Sequence, residues 1–408
     1  MDMLYSFMRN NALSRDKLSY GNGTVKNIHY GDIHTKFSAL FDITKERVPH
    51  INSTEKLPDA DSDEYCVEGD IIFADASEDT NDVGKCIEIV RLDGQLLLAG
   101  QHTILARRKN DALVIGFGGH LFRSARIRSQ IQTEAQGTKV YAISSTRLAT
   151  IEIAYPFEEE EQQKIADCLT SLDELIAAQG RTVEVLKAYR RGMMQQLFPR
   201  EGEAVPRLRF PEFSNGPSWA LRKIGDLLEE IPRPIEMGDD IRYSLVTVKR
   251  RYGGVVSREH LKGRAIKVKS QFVVRANDFL VSKRQIVHNA CGIVPLELDG
   301  SIVSNEYSVL GPKVGCDINF FNYFSQQPSV SASFLNSSVG IVIEKMLFKL
   351  DQWLKHEFFF PPLEEQKRIA AFLGSIEKTL GVECEKHYAL KAHKKGLMQQ
   401  LFPASEEA

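Results

Sequence analysis

The sequence predicts a mixed α/β (α+β) fold in which two globular domains are separated by two long antiparallel helices that form an intramolecular coiled coil, a pseudo-twofold internal repeat. Three observations lead there. First, Glu160-Glu161-Gln162-Gln163-Lys164-Ile165-Ala166 through Gln195-Gln196-Leu197-Phe198-Pro199 returns as Glu364-Glu365-Gln366-Lys367-Arg368-Ile369-Ala370 through Gln399-Gln400-Leu401-Phe402-Pro403. Position 160 matches 364 and 199 matches 403, a constant offset of 204, and internal repetition of this kind marks a duplicated architecture. Second, each copy has a helical apolar stripe. Third, the chain before each copy holds short β-branched runs bounded by turn-formers.

The stripes justify the helices. In the first copy Ile165, Leu172, Leu186 and Met193 keep a seven-residue phase, with Leu175 three beyond Leu172 and a flanking row of Leu169, Ile176, Val183 and Leu197. Ile369, Ile376, Leu390 and Leu397 hold the same phase in the second, flanked by Phe372, Leu373, Leu380 and Leu401. A heptad stripe this long calls for a partner along its length, and at ~1.5 Å per residue each helix would span roughly 55 Å. Pairing is assigned to Ile165, Leu169, Leu172 and Leu186 on one helix and Ile369, Leu373, Ile376 and Leu390 on the other. Pro156 and Pro361-Pro362 suit the starts. Acidic Glu158 to Glu161 and Glu364-Glu365 suit the positive dipole ends, and Lys187, Arg190, Arg191, Lys391, Lys394 and Lys395 the negative ends. Pro199 and Pro403 stop both.

The boundaries follow: a first domain over 1–157, a helix over 158–199, a linker over 200–218 marked by Pro206, Pro211, Gly216 and Pro217, a second domain over 219–360, a helix over 361–403 and a tail over 404–408. A length of 408 residues exceeds what one core sustains. The net charge of −2 gives no global pull toward nucleic acid, so any such contact must come from local clustering. Cys66, Cys86, Cys168, Cys291, Cys316 and Cys384 lack metal or redox spacing and read as buried reduced thiols, Cys168 as a small apolar residue on the helical stripe. No apolar run approaches membrane-spanning length, so no membrane partner and a cytoplasmic location are expected.

In the first domain Arg15, Lys17, Lys26, His29, His34 and Lys36 lie among turn-formers, and the two histidines lack a third metal ligand at an expected spacing. Asp70 to Ala74, Lys85 to Val90 and His102 to Arg107 read as strands. The acids between Glu55 and Asp93 read as a solvated face. Gly116-Phe117-Gly118-Gly119 lacks the context of a dinucleotide loop and reads as a turn before a helix near His120, with Arg123, Arg126 and Arg128 on an exposed face. In the second domain Tyr243 to Val248, Phe272 to Val274, Phe279 to Val281, Gly292 to Leu298 and Tyr307 to Leu310 are the strand candidates. Asn277-Asp278-Phe279-Leu280-Val281 matches Gly69-Asp70-Ile71-Ile72-Phe73 in pattern, so the domains look duplicated too.

The clearest charge cluster runs from Arg242 to Arg284, where twelve cations meet only Glu259 and Asp278 and Tyr243, Tyr252 and Phe272 are interleaved. Lys and Arg at that density neutralise phosphates, and Arg also reads guanine edges. The candidate DNA-binding residues are therefore Lys249, Arg250, Arg251, Arg264, Lys267, Lys269, Lys283 and Arg284, with Arg15, Lys17, Lys26, Arg107, Arg108, Arg123 and Arg126 as weaker counterparts in the first domain. No Walker loop, amino-methyltransferase tetrapeptide, zinc-protease helix or nucleophile elbow occurs. No catalytic residue and no metal ligand is assigned.

Pro362-Leu363-Glu364-Glu365-Gln366-Lys367-Arg368-Ile369-Ala370, the ending Lys395-Gly396-Leu397-Met398-Gln399-Gln400-Leu401-Phe402-Pro403 and the linker Pro206-Arg207-Leu208-Arg209-Phe210-Pro211 resemble the DNA-specificity subunit of type I restriction-modification enzymes. The resemblance spans nearly the whole chain. Trp219 to Asp226 resembles the usual opening of a target-recognition domain whereas Met1 to Leu13 does not, so a shortened or divergent amino terminus is expected. The resemblance implies a non-catalytic subunit with two target-recognition domains, each reading one half of an interrupted site on double-stranded DNA. The helices would set the spacing and seat two modification subunits. S-adenosylmethionine, ATP and Mg would belong to those and to restriction subunits, with no cofactor in this chain. A coiled-coil scaffold without sequence-specific DNA binding is the competing reading, and an enzyme using Asp75 or Asp79 a third.

Overall fold

The structure, a computed structural model, describes residues 1–59 and 61–403. It forms two compact units, one of Met1–Arg181 with the residues from Cys384 onward, the other of Thr182–Glu383. The first long helix is Glu159–Gln196 and the second Leu363–Leu401, so each unit owns a segment of both.

In the first unit a five-stranded sheet runs in the order Tyr5–Met8, Thr103–Arg108, Ile71–Ala74, Cys86–Arg91, Leu40–Asp42, antiparallel except for the last pair. Ile71–Ala74 is buried on both faces because successive side chains point opposite ways. Ile71 and Phe73 join one core with Phe117, Phe122 and Ile127, and Ile72 and Ala74 join another with Phe41, Ile87 and Leu105. A smaller sheet orders Leu18–Ser19, His50–Ile51, Val25–Ile28 and Leu96–Ala99. Helix Ala125–Glu134 covers the first core, its start capped by the Ser124 hydroxyl.

The second unit repeats this plan. Leu228–Glu230, Tyr307–Pro312, Phe279–Ser282 and Cys291–Ile293 form an antiparallel sheet. Val255–Lys262, Arg242–Val248, Ile302–Ser304 and Gln271–Val273 form a second. Its main core gathers Phe320, Phe321, Phe324, Phe334, Trp353 and Phe360.

Within each unit the helix segments run antiparallel. In the first, Lys394 Nζ lies 2.5 and 2.6 Å from the two Asp173 oxygens, and a Cβ on Gly180 would stand 3.3 Å from the His387 ring. In the second, Arg190 pairs with Glu377 at 2.7 Å. Residue numbers in each pair total 567 (173 with 394, 180 with 387, 190 with 377), so one register serves both. Arg190 and Lys394, expected to serve the dipole, instead bridge helices, because they lie more than a turn before the ends. Ile165, Leu169, Ile369, Leu373 and Ile376 are buried where a domain core meets the helix, while Leu172, Leu186 and Leu390, with only a helix to face, are half-buried. The ends cross over: Leu197 and Phe198 enter the second unit's core, and Phe402 enters the first unit's.

Some expectations need correction. Leu175 is 55 % exposed, off the stripe. Cys168 is exposed too, and Cys316 and Cys384 only partly buried. Gly292 to Leu298 is strand only over Cys291–Ile293 and ends in a short 3-10 turn, Leu296–Leu298, after Pro295, which cannot continue a ladder. Arg123 and Arg128 do not spread over an exposed face: Arg123 donates to the Cys86 carbonyl at 2.7 and 3.0 Å, and Arg128 to those of Val83 and Asn81 at 2.6 and 2.9 Å.

Candidate nucleic-acid interface

Two duplicated devices fix the surface loops. The Gln162 side chain accepts from Val114 N–H at 2.8 Å and donates to the carbonyls of Ala112 and Pro156 at 2.9 and 2.8 Å. Gln366 accepts from Asp317 N–H at 2.9 Å and donates to those of Gly315 and Pro361 at 3.0 and 2.9 Å. Both are buried, and a primary amide alone among neutral side chains can accept once and donate twice in this way. The second device is a turn before the central strand. Gly69 and Asn277 adopt φ of 90° and 68°, and the buried Asp70 and Asp278 each accept from the backbone N–H three residues back, Val67 and Arg275. Arg107 reaches both Asp70 oxygens at 3.1 and 2.8 Å, and Arg233 both of Asp278 at 2.6 and 3.1 Å.

The basic stretch of the second unit divides by what each cation meets. Arg264 lies 3.5 Å from Asp240, Lys269 donates to the Gly263 carbonyl at 2.7 Å, Lys283 to that of Asn305 at 3.0 Å, and Arg284 to Glu306 at 2.7 Å. Arg250 donates to Gln285 at 2.6 Å and Glu344 at 3.0 Å. Acids distant in sequence thus offset part of the charge. Among the described residues Lys249, Arg251 and Lys267 are exposed and carry no ion pair or side-chain hydrogen bond.

Lys249 and Arg251 sit on the turn joining Arg242–Val248 to Val255–Lys262. Arg251 and Tyr252 both have positive φ, 57° and 56°, a costly conformation for side chains of that size. It is held because their N–H groups donate to the carbonyls of His288 and Asn289 at 2.8 and 2.9 Å, and the Tyr252 hydroxyl donates to that of Ser325 at 3.0 Å. A constrained backbone therefore presents a free guanidinium.

In the first unit Arg15 pairs with the buried Asp32 at 2.7 Å, Lys17 with Glu55 at 3.1 Å, and Arg108 with Asp111 at 2.9 Å. Arg107 and Arg123 are spent on the contacts already given. Lys26 and Arg126 are half-buried and have no ion pair among the described residues.

The family comparison decides what this frame is. The sequence model of the type I restriction modification DNA specificity domain matches residues 9–188 and 218–392. The chain belongs to that family. The specificity subunit is 23 % identical over 387 residues to the type I restriction enzyme MjaX specificity subunit assigned to Methanocaldococcus jannaschii, covering 90 % of this chain and 85 % of the relative. Its fold is similar to the crystal structure of the type I restriction-modification system S subunit from M. genitalium, with a TM-score of 0.57, 13 % identity, and coverage of 98 % and 94 % of the two chains. Its function is DNA-sequence recognition in a type I restriction-modification system.

The decoy motifs of the specificity subunit have structural work. Gly119 N–H donates to the buried Glu88 carboxylate at 2.7 Å, and a Cβ at Gly119 would lie 2.7 Å from Leu40 and 2.9 Å from the Ala39 carbonyl. The glycine loop is thus filled by the chain's own acid. His29 accepts from Gly31 N–H at 3.2 Å, and His34 Nε2 lies 3.2 Å from the Ala76 carbonyl. Burial raises the Asp75 carboxyl, which lies 3.3 Å from His102. Asp79 accepts from Asn81 N–H at 2.9 Å within a turn. Among the described residues no three His, Cys, Asp or Glu side chains cluster as a metal site, and no helix is long and apolar enough to cross a membrane. The sequence pattern alone does not mark Gln162 and Gln366 as working residues, although a glutamine at the same place in both copies of the repeat is the available signal.

Proposed function

We propose that each globular domain reads one half of a bipartite, interrupted site on double-stranded DNA, and that the paired helices set the spacing and dock two modification subunits. Restriction subunits complete the assembly. S-adenosylmethionine for adenine methylation, and ATP and Mg for cleavage, are used on those other chains. The observation that carries this reading is duplication with divergence: the Gln162 and Gln366 contacts are the same bond for bond, while the exposed turns differ. A shared frame with unlike heads suits two different half-sites. Of the candidate cations, Lys249, Arg251 and Lys267 in the second domain and Lys26 and Arg126 in the first have no ion pair among the described residues to give up on meeting phosphates or bases; paired residues such as Arg264, Lys269 and Arg284 would exchange partners on binding. Mapping methylated adenines genome-wide with and without this chain tests the reading. A bipartite motif that disappears with the chain is expected, and a motif unaffected by its loss would refute the assignment.

A further inference from the structure

The second domain carries an apolar hairpin tip that its core does not use. Ser338–Val339 pairs antiparallel with Leu347–Phe348, and between them Ile341 is fully exposed while Val339, Val342 and Ile343 are all more than half exposed. Several adjacent β-branched side chains in water at one tip are a liability that a soluble protein keeps for contact. The hairpin is anchored: Phe348 enters the core and its N–H donates to the Lys283 carbonyl at 2.9 Å.

Its position is tied to the constrained basic turn. Glu344 on the same hairpin pairs with Arg250 at 3.0 Å and lies 3.0 Å from His288, whose carbonyl holds Arg251 N–H. Glu344, the acid at this tip, is thus already engaged by basic groups. Lys249, Arg251 and Lys345 remain exposed with no ion pair among the described residues. An apolar tip tied through Arg250 and His288 to a turn that carries free cations fits a polyanion whose interior is apolar, which describes a DNA groove: phosphates at the rim, base faces and thymine methyls within. A partner protein without acids opposite would gain from the isoleucines but leave the cations unmet, whereas every duplex brings phosphates.

The repeat gives an internal control. In the first domain the counterpart is a five-residue loop, Gly137 to Tyr141, closed by Gln136 against Ala142. The same device therefore has a different tip, as expected of a part that distinguishes half-sites.

We infer that Ile341, Val342 and Ile343 enter the DNA groove and contact bases of the second half-site, with Lys249, Arg251 and Lys345 on the flanking phosphates. This rests on the DNA-reading function proposed above. The test uses the chain assembled with its modification subunits, and a duplex bearing the bipartite site found by methylation mapping beside an unrelated duplex. Ile341→Ser with Ile343→Ser should weaken specific binding at least about tenfold, leave unrelated-duplex binding within about twofold, and keep the salt slope, since no cation is removed. Unchanged melting temperature and assembly confirm that only the exposed tip was altered. Unchanged specific affinity would overturn the inference, and so would loss of modification-subunit assembly, which would assign the tip to a protein. If the unaltered assembly binds both duplexes alike, DNA reading itself fails and the tip assignment with it.

Discussion

Arg209 in the linker grips Glu365 at the start of the second long helix through both carboxylate oxygens, at 2.8 and 2.7 Å, with the two side chains 8 % and 1 % exposed. The linker motif and the helix-start motif that carried the family resemblance are therefore physical partners. Glu365, which by sequence suits the positive end of the helix dipole, is also a buried acid that needs its guanidinium. Arg209→Ala should destabilise the second unit by about 3 kcal/mol or more, because a buried charge loses its partner. Denaturant unfolding followed by Trp219 and Trp353 fluorescence would measure it, and a loss below about 0.5 kcal/mol would count against this role.

Gln162→Leu and Gln366→Leu each remove three buried hydrogen bonds while keeping apolar volume. The orphaned groups should cost about 2–4 kcal/mol per variant. Hydrogen exchange would locate each loss in its own unit, Gln162→Leu around Val114 and Gln366→Leu around Asp317. Equal effects of either change throughout the chain would contradict independent latches.

Glu88 gives the first unit a pH signature. Burial pushes its carboxyl from 4.5 up to about 7, against the Gly119 and Gly116 N–H bonds that favour the anion. A carboxyl raised on folding holds its proton more tightly in the native state. Its favourable contribution is thus complete below about 4.5 and is lost as pH rises through about 7, by up to about 3 kcal/mol. Glu88→Gln should flatten that part of the stability curve relative to the unaltered chain, and parallel curves across this window would exclude the effect.

The helix stripe makes a graded prediction. Ile376→Glu, in a buried position, should destabilise by about 2–4 kcal/mol, Leu172→Glu by less, and Leu175→Glu by no more than about 0.5 kcal/mol. Thermal melting ranks the three, and assembly with modification subunits should fail in the same order.

What was legible in the sequence follows from how local each feature is. The helices announced themselves because a period of seven survives for many turns, and strands such as Ile71–Ala74 because both faces are apolar. Val255–Lys262 was missed: as an edge strand it carries Ser257, Arg258, Glu259, His260 and Lys262 toward water, and so lacks an apolar signature. Leu175 was misplaced because one residue off a heptad phase is enough to rotate a leucine into solvent. The charge cluster was legible as composition but not as field. Asp239, Asp240, Glu306 and Glu344 lie outside the counted window and fold back onto its cations.

That folding back separates cations that build the domain from cations free to meet DNA. Arg107→Ala strips Asp70 of its guanidinium and should cost about 2–4 kcal/mol of first-unit stability, so any loss of DNA affinity should track unfolding and vanish on cooling or added osmolyte. Lys249→Glu, Arg251→Glu and Lys267→Glu break no ion pair among the described residues, so melting should shift little. Each should instead weaken binding more at low salt than at high salt and reduce the slope of log K against log salt by about one. All three should act alike on every duplex, because contacts to phosphates carry no sequence information. Filter binding on the mapped site and on an unrelated duplex at several salt concentrations checks this. A salt slope unmoved by all three changes would remove this surface from the DNA interface.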